Sequence, residues 1–349
     1  MSVYDFSVSF ETDGQSDAAD PPAGTTPTVV ELSHRPWSRW ARAVAIVAVL
    51  VLAGTIAIRV LARITWLGDA LAIGLPIVAA CALLASVICV ACRWPQLLIG
   101  TVAVFLCTAW AVVAPRVPQR TDPPSNPIRI ATANLQFDSQ DARAGFESAL
   151  YQRADVLVVS ELTRRADRRL SGEYAFSATT WGSAFGQGVY SNLPFETLEP
   201  PSGFGNQALK VRFTTQVPFV LYAVHLPRPG LGDDGYAGTA SFATHRALVR
   251  RLDRLVRSET EATVVTGDLN LADRTSGYRL LATGRVDVAR TGGWADNTYE
   301  RGFSWWFLKL RIDYVFVPGS WCSADGRSFE IAGSDHRGVV AEIGLCGDS

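Results

Sequence analysis

Three long apolar runs set the first third of the chain apart from the rest. Ala43–Ile58 is uncharged for 16 residues, and Arg59 can snorkel so that the run continues to Leu61. Ala70–Cys92 gives 23 uncharged residues and Trp94–Pro115 gives 22. At about 1.5 Å per helical residue, the last two can cross a hydrocarbon layer of about 30 Å. Three such runs separated by Arg-containing gaps predict three transmembrane helices within residues 41–115. Residues 1–40 before them carry Asp5, Glu11, Asp13, Asp17, Asp20, Glu31 and a Pro/Gly/Thr cluster, the texture of a disordered acidic tail. Residues 116–127 after them are Pro-rich and predict a semi-extended linker.

From residue 128 the pattern changes to short β-branched runs broken by turns and amphipathic stretches. Strands are predicted at Ile128–Ala133, Val156–Ser160, Gly188–Ser191, Leu209–Phe213, Phe219–Val224, Thr263–Thr266, Ile312–Val317 and Val339–Ile343. Val156–Ser160 and Phe219–Val224 are continuously apolar, as strands covered on both faces are. Helices are predicted at Ala142–Arg153 and Ser241–Arg257. The second sets Leu248, Leu252 and Leu255 against an opposite side bearing Arg246, Arg250 and Arg254. Strands with interspersed helices define a layered α/β domain over 128–349.

Charge narrows the partners. The whole chain has 32 basic and 33 acidic residues, and residues 127–349 have 24 and 25, net −1. A domain of that balance is not built to hold a polyanion by bulk positive charge, so nucleic acid is an unlikely partner. Orientation follows from the flanks of the first span. Arg35, Arg39 and Arg42 precede it, and Arg59 and Arg63 follow, which favours a cytoplasmic N-terminus and puts the residues after Pro115 outside the cytoplasm. Arg93, Arg116 and Arg120 level the count over all loops at four against four. Four of the six cysteines fall in or beside the spans. The remaining two, Cys322 and Cys346, are either a disulfide of an oxidising compartment or two separate buried thiols.

Polar residues recur where the apolar strands finish. Asn134 follows IRIATA, Glu161 follows DVLVVS, His225 follows FVLYAV, and Asp268 and Asn270 follow TVVTG. Asp313 opens DYVFV, and Asp335 and His336 precede RGVVAEI. In α/β proteins, strand ends on one sheet edge are where sites are built. His245, on the Arg-bearing helix, is given no role. Trp305 and Trp306 read either as core or as an aromatic lip at a lipid surface.

The set TANLQF, VVSELT, VHLPRP, GDLN, RIDYVF and SDHRGV, with GQGVYSNLPF between, resembles the endonuclease/exonuclease/phosphatase superfamily with its DNase I-like fold over about 128–344. The resemblance implies a four-layer α/β sandwich that cleaves phosphate esters with a divalent metal, usually Mg²⁺ with Mn²⁺ as the alternative. It implies metal binding by Asn134, Glu161 and Asp335, and a catalytic set of His225, Asp268, Asn270, Asp313 and His336, with His225 and Asn270 also touching substrate. Two departures stand out: Ser160 where the family commonly has Gln, and Asn192 where it often has Arg or Lys. Three spans followed by this domain also resemble the VanJ-type teicoplanin-resistance membrane proteins. That resemblance implies a membrane-anchored extracytoplasmic phosphatase acting on an undecaprenyl-pyrophosphate-type lipid carrier, with a part in glycopeptide resistance and no protein partner. The alternatives are a sphingomyelinase-like phospholipid phosphodiesterase, an extracytoplasmic nuclease, and a membrane-anchored binding module.

Overall fold

The computed structural model describes residues 65–139, 141–182, 186–230, 239–300 and 309–347, with isolated positions between 46 and 60. The acidic tail lies outside these residues, as do most of the first expected span, Ala43–Ile58, and the Trp305–Trp306 pair.

The second expected span is broken. Helix α1, Trp66–Ile73, and helix α2, Leu75–Ala91, meet at Gly74 with a 52° bend. Pro76 lies in the first turn of α2 and has no N–H to continue the ladder from α1. The third run forms one helix, α3, Pro95–Val113, extended by a 3₁₀ turn over Ala114–Arg116. Among the described residues, Pro95–Arg116 is long and apolar enough to cross a membrane, and the bent pair together is a second such stretch. Arg93, left-handed at φ 57°, turns α2 into α3, and Ser86 and Thr101 hydroxyls join the two helices at 2.9 Å. Leu84, Val87, Val90, Ile99, Leu106 and Trp110 remain exposed on this hairpin.

The rest is built on two six-stranded sheets. Their strands, in chain order, are β1 (Pro124–Asn134), β2 (Val156–Leu162), β3 (Phe176–Trp181), β4 (Gly186–Ser191), β5 (Phe195–Thr197), β6 (Ala208–Phe213) and β7 (Phe219–Val224). A two-stranded patch of β8 (Arg228–Gly230) and β9 (Thr239–Ser241) precedes β10 (Ala262–Asp268), β11 (Arg285–Asp287), β12 (Asp313–Pro318), β13 (Trp321–Glu330) and β14 (Arg337–Cys346). Sheet one runs β13-β14-β1-β2-β4-β3 and sheet two β11-β12-β10-β7-β6-β5. Helices α4 (Ala142–Tyr151) and α5 (Arg164–Leu170) cover sheet one, and α6 (Phe242–Ser258) and α7 (Ser276–Ala282) cover sheet two.

Strand period 2 explains the layering. Val156 and Val158 of β2 face a core shared with Phe219 and Val264 of sheet two, while Leu157 and Val159 pack with Phe146 and Leu170 under the helices. Each central strand buries both faces, which is why its sequence is unbroken apolar. The expected α/β sandwich is therefore present as helices, sheet, sheet and helices. Three edge or short elements lacked a pattern. β13 (WCSADGRSFE) bulges between Ala324 and Arg327, β3 is only half-buried, and α7 carries Gly277. β1 starts at Pro124, four residues before the expected strand, and pairs Pro124 with Cys346 around a bulge after Ser125.

Residues 116–123 do not hang free as a tether. Arg116 is buried, its Nε donates to Asp273 Oδ2 at 2.8 Å, and its carbonyl accepts from Ala295 N. Pro115 and Val117 carbonyls accept from Arg311 and Arg290, and Thr121 donates to Ser323 O at 2.6 Å. The unmet backbone carbonyls at the end of α3 are thus taken up by arginines of the domain. At the start of α1, Asp69 accepts from Ser276 N at 2.7 Å, Ser276 Oγ at 2.9 Å and Arg246 at 2.5 Å, and Trp66 stacks on Phe242. Cys322 and Cys346 are joined as a disulfide between β13 and β14.

Gly267 shows why a glycine must precede Asp268. Its φ is +127°, and a Cβ there would overlap the Val224 carbonyl of the neighbouring strand. Gly267→Ala is expected to destabilise the protein by about 3 kcal/mol or more. The thermal unfolding midpoint checks this, and an unchanged midpoint would refute the required close approach.

Candidate active site

The two sheets each contain one parallel pair, β1·β2 and β7·β10. The C-terminal ends of these pairs lie together, and the polar residues that terminate them meet there. Asn134 ends β1, Glu161 sits near the end of β2, His225 follows β7, Asp268 ends β10, Asp313 opens β12 and His336 precedes β14. The strand-end residues Asn134, Glu161, His225, Asp268, Asn270, Asp313, Asp335 and His336 lie in this neighbourhood, whereas Cys322, Cys346 and His245 lie elsewhere.

A recurring local device sets several of them. A side-chain oxygen accepts the N–H two residues on, which turns the chain out of the strand. Asn134 Oδ1 takes Gln136 N at 2.9 Å, Asp268 Oδ1 takes Asn270 N at 2.9 Å, and Ser334 Oγ takes His336 N at 3.0 Å. Ser334 Oγ also donates to Asn134 O at 2.8 Å, tying the two loops together. Gln136 and Asn270 turn left-handed, at φ 52° and 46°. Glu161 is left-handed too, at φ 53°, because β2 bulges there, with Ser160 and Glu161 standing opposite the single residue Gln187. The bulge re-aims the Glu161 side chain towards the neighbouring strand ends, a backbone strain of the kind kept at functional sites.

Asp268 is the centre, with 1% of its surface exposed. Asn134 Nδ2 donates to its Oδ2 at 2.9 Å and to Glu161 Oε1 at 3.1 Å. His225 Nε2 stands 3.7 Å from Asp268 Oδ2 and 3.9 Å from Glu161 Oε1. His336 Nε2 stands 3.9 Å from Asp268 Oδ2, while its Nδ1 donates to Asp313 Oδ2 at 3.0 Å. Asn270 Nδ2 donates to Leu226 O at 2.9 Å and reaches Asp268 Oδ2 at 3.3 Å, so it positions Asp268. Phe137 N donates to Glu161 Oε2 at 3.1 Å.

Burial pushes the Asp268 carboxyl up to about 6, helped by the Asp313 anion, while His336, His225 and the Asn270 N–H pull the other way. Burial alone would depress His336, but Asp313 and Asp268 outweigh it and hold the imidazolium up to about 10. At neutral pH the pair is a carboxylate facing a cationic ring.

Glu161, His225 and Asp268 offer ligand atoms within 4.8 Å of one another, and Asp268, Asp313 and His336 form a second such group. Asp313 Oδ1 is buried without a hydrogen-bond partner. An oxygen-rich set with uncompensated carboxylate suits a hard divalent cation. Asp335 belongs to neither group; its Oδ1 is 3.9 Å from His336 Nε2. Sequence reasoning missed Thr298 and Tyr299. Thr298 Oγ1 accepts from both Ile312 N and Asp313 N, and Tyr299 meets the His336 ring edge-on at 5.1 Å. They lie in an irregular stretch with no motif, so no local signal marks them. His245 is buried, with Nε2 3.0 Å from Leu269 O, and burial lowers its pKa, so it is a core residue.

The endonuclease/exonuclease/phosphatase family profile matches residues 131–336, more than half of the chain, and the chain belongs to that family. Its members are metal-dependent hydrolases of phosphodiester bonds, and the chain is a hydrolase of that class. No curated relative matches it. Among solved structures it is similar to an endonuclease/exonuclease/phosphatase from Beutenbergia cavernae DSM 12333, at 19% identity and TM-score 0.48, covering 64% of this chain and 72% of that one. It is also similar to a humanized D. rerio TDP2, at 16% identity and TM-score 0.48, covering 63% and 100%. A functionally unknown conserved protein from Enterococcus faecalis V583 matches at 18% identity and TM-score 0.48, covering 62% and 100%.

The rate is expected to follow a bell in pH. Turnover rises as Asp268 ionises near pH 6 and falls as His336 deprotonates near pH 10. A cation beside Glu161 moves the acid limb lower still. Asp313→Asn removes the main anion that raises His336, so the alkaline limb of kcat/KM should drop by at least about one pH unit. An unmoved limb would disprove the His336 assignment.

Proposed function

We propose that the chain is a membrane-anchored phosphoesterase that hydrolyses a phosphate or pyrophosphate bond of a lipid carrier of the undecaprenyl-pyrophosphate type. The observation that carries the hydrolytic part is the meeting of Asp268, His336, Glu161 and Asn134 at the ends of the two parallel strand pairs. Glu161 and Asn134 would hold a divalent cation, Mg²⁺ by its preference for hard oxygen donors, with Asp268 and His225 within reach. When bound, the cation neutralises charge on the phosphoryl oxygens and the leaving group.

The remaining roles belong to this chain's own residues. Asp268, ionised above about pH 6, takes the proton of the attacking water. His336, held cationic by Asp313, donates from Nε2 to a non-bridging phosphoryl oxygen as negative charge grows there. His225 supports the same charge from the Glu161 side. Asn270 and Asn134 hold Asp268 in place by hydrogen bonds at 3.3 and 2.9 Å.

Three observations support a substrate in a lipid layer. The hairpin of α2 and α3 leaves large apolar side chains exposed, more than a monomeric soluble protein ordinarily shows. Both α1 and α3 are fixed to the catalytic domain by buried polar contacts, so the site is held close to whatever the hairpin enters. Residues 127–349 are nearly neutral, which disfavours a polyanion track. The Cys322–Cys346 disulfide suits an oxidising, extracytoplasmic side.

Detergent-solubilised full-length protein should release orthophosphate from undecaprenyl pyrophosphate with Mg²⁺, and not with EDTA. Asp268→Ala and His336→Ala should each lower kcat about a thousandfold or more with the fold retained. Turnover of single-stranded DNA or a phospholipid mixture instead of the pyrophosphate would overturn the substrate, and full activity in either variant would overturn the roles.

A further inference from the structure

Four tryptophans are exposed among the described residues, Trp66, Trp94, Trp110 and Trp294. Trp94 precedes α3, Trp110 lies in its last turn, and Trp66 opens α1. Trp294 belongs to the catalytic domain, yet its backbone meets the end of α3. Ala295 N donates to Arg116 O at 3.1 Å, and Arg116 closes the 3₁₀ turn that extends that helix. Arg290 grips the same stretch: its Nε donates to Val117 O at 2.8 Å, and its carbonyl accepts from Gln119 N at 2.8 Å. The loop that carries Trp294 is fixed. A Cβ on Gly292 would overlap the Gly326 carbonyl, and Ala295 is buried in the core between the sheets. Trp294 nevertheless leaves 47% of its surface exposed. Trp110 stands less than two turns before Arg116, about 9 Å along the helix axis. The end of α1 lies at that depth too, because Ala72 packs with Leu75 and Ala111. α1 buries Gly68, Asp69 and Ala72 and leaves Trp66, Leu67 and Leu71 exposed, and its 52° bend takes it out of line with α2.

We propose that the catalytic domain itself rests on a phospholipid bilayer, with Trp294 and the α1 residues Trp66, Leu67 and Leu71 in the boundary between headgroups and acyl chains. The inference rests on the membrane-anchored reading above and adds to it the face of the domain that the lipid touches. With α3 across the hydrocarbon layer, its end at Arg116 lies at the headgroup boundary, and the hydrogen bond to Ala295 sets Trp294 level with it. An indole has an apolar body and one N–H donor, so this boundary suits it better than water or hydrocarbon does. α1 turns apolar side chains outward and holds Asp69 inward on Ser276, as a helix lying in the boundary does. The exposed tryptophans mark two levels of one hairpin, Trp94 at its turn and Trp66, Trp110 and Trp294 at its root. Two levels fit a layer with two faces, whereas a protein partner would be met by one continuous patch.

The test uses full-length protein in phosphatidylcholine nanodiscs, the lipid either plain or brominated at the acyl carbons nearest the headgroup. Tryptophan fluorescence of the wild type is compared with that of Trp294→Phe and Trp294→Tyr. The difference isolates Trp294, and either variant suffices where the other does not fold. Brominated lipid should quench the Trp294 component several-fold more than aqueous iodide does. Tyr151→Trp adds a tryptophan at an exposed site on α4, which covers sheet one, whereas α1 docks on α6 of sheet two. Its component should show the reverse order. Quenching of Trp294 by iodide and not by brominated lipid overturns the inference, as does a Tyr151→Trp component quenched by lipid as strongly as that of Trp294. Alkaline carbonate washing of membranes from expressing cells checks the anchoring separately. Protein that stays in the membrane while Trp294 answers only to iodide keeps the anchor and loses this surface. Protein that carbonate releases overturns the anchor, and this surface with it.

Discussion

One carboxylate has to stay charged almost out of contact with water. Asp268 is 1% exposed, and an ion in that position is tolerable only when neighbours supply what the solvent would. Asn134, the Asn270 N–H, His225 and His336 do this from four different strand ends. The two sheets must therefore bring the ends of their parallel pairs together, Gly267 must allow the close approach of β7 and β10, and β2 must bulge to re-aim Glu161. The cationic His336 is a product of the same constraint. Without Asp313 and Asp268, burial would leave it neutral.

A second set of contacts fixes the helices to this centre. Asp69 of α1 holds Ser276, and Arg116 at the end of α3 holds Asp273. Both partners lie in the short segment that begins with Asn270. The hairpin and the catalytic residues therefore share one stretch of backbone, and Arg311, which also reaches Asp287 at 2.6 Å and Pro115 O, binds its far side. Arg116 and Arg311 stand here against Asp273 and Asp287, an arrangement in which removing either carboxylate leaves a buried cation stranded.

Much of the catalytic half was legible from residue pattern. Continuous apolar runs marked the central strands, because only strands covered on both faces have no polar alternation. Their ends were marked by Asn134, Glu161, His225 and Asp268, since a polar residue is affordable only where the sheet stops. The bulge at Glu161 carried no signal, because it depends on pairing with Gln187. Nor did the docking of residues 116–123. Arg116 read as a flanking charge of a membrane span, whereas its partner lies 157 residues away. Thr298 and Tyr299 escaped for the same reason: they act on Asp313 and His336 only through the folded arrangement.

The Arg116–Asp273 contact also decides where the chain can be divided. A cut in the Pro-rich stretch looks harmless by composition, yet it would leave Asp273, which has no exposed surface, with Arg311 at 3.7 Å as its one remaining ion-pair partner among the described residues. It would also strip Ser276 and Arg246 of Asp69. A fragment beginning at β1 would thus carry its damage next to Asn270, inside the site it was meant to isolate. The apolar helices therefore supply part of the packing around the segment that begins with Asn270, through Arg116 on Asp273 and Asp69 on Ser276.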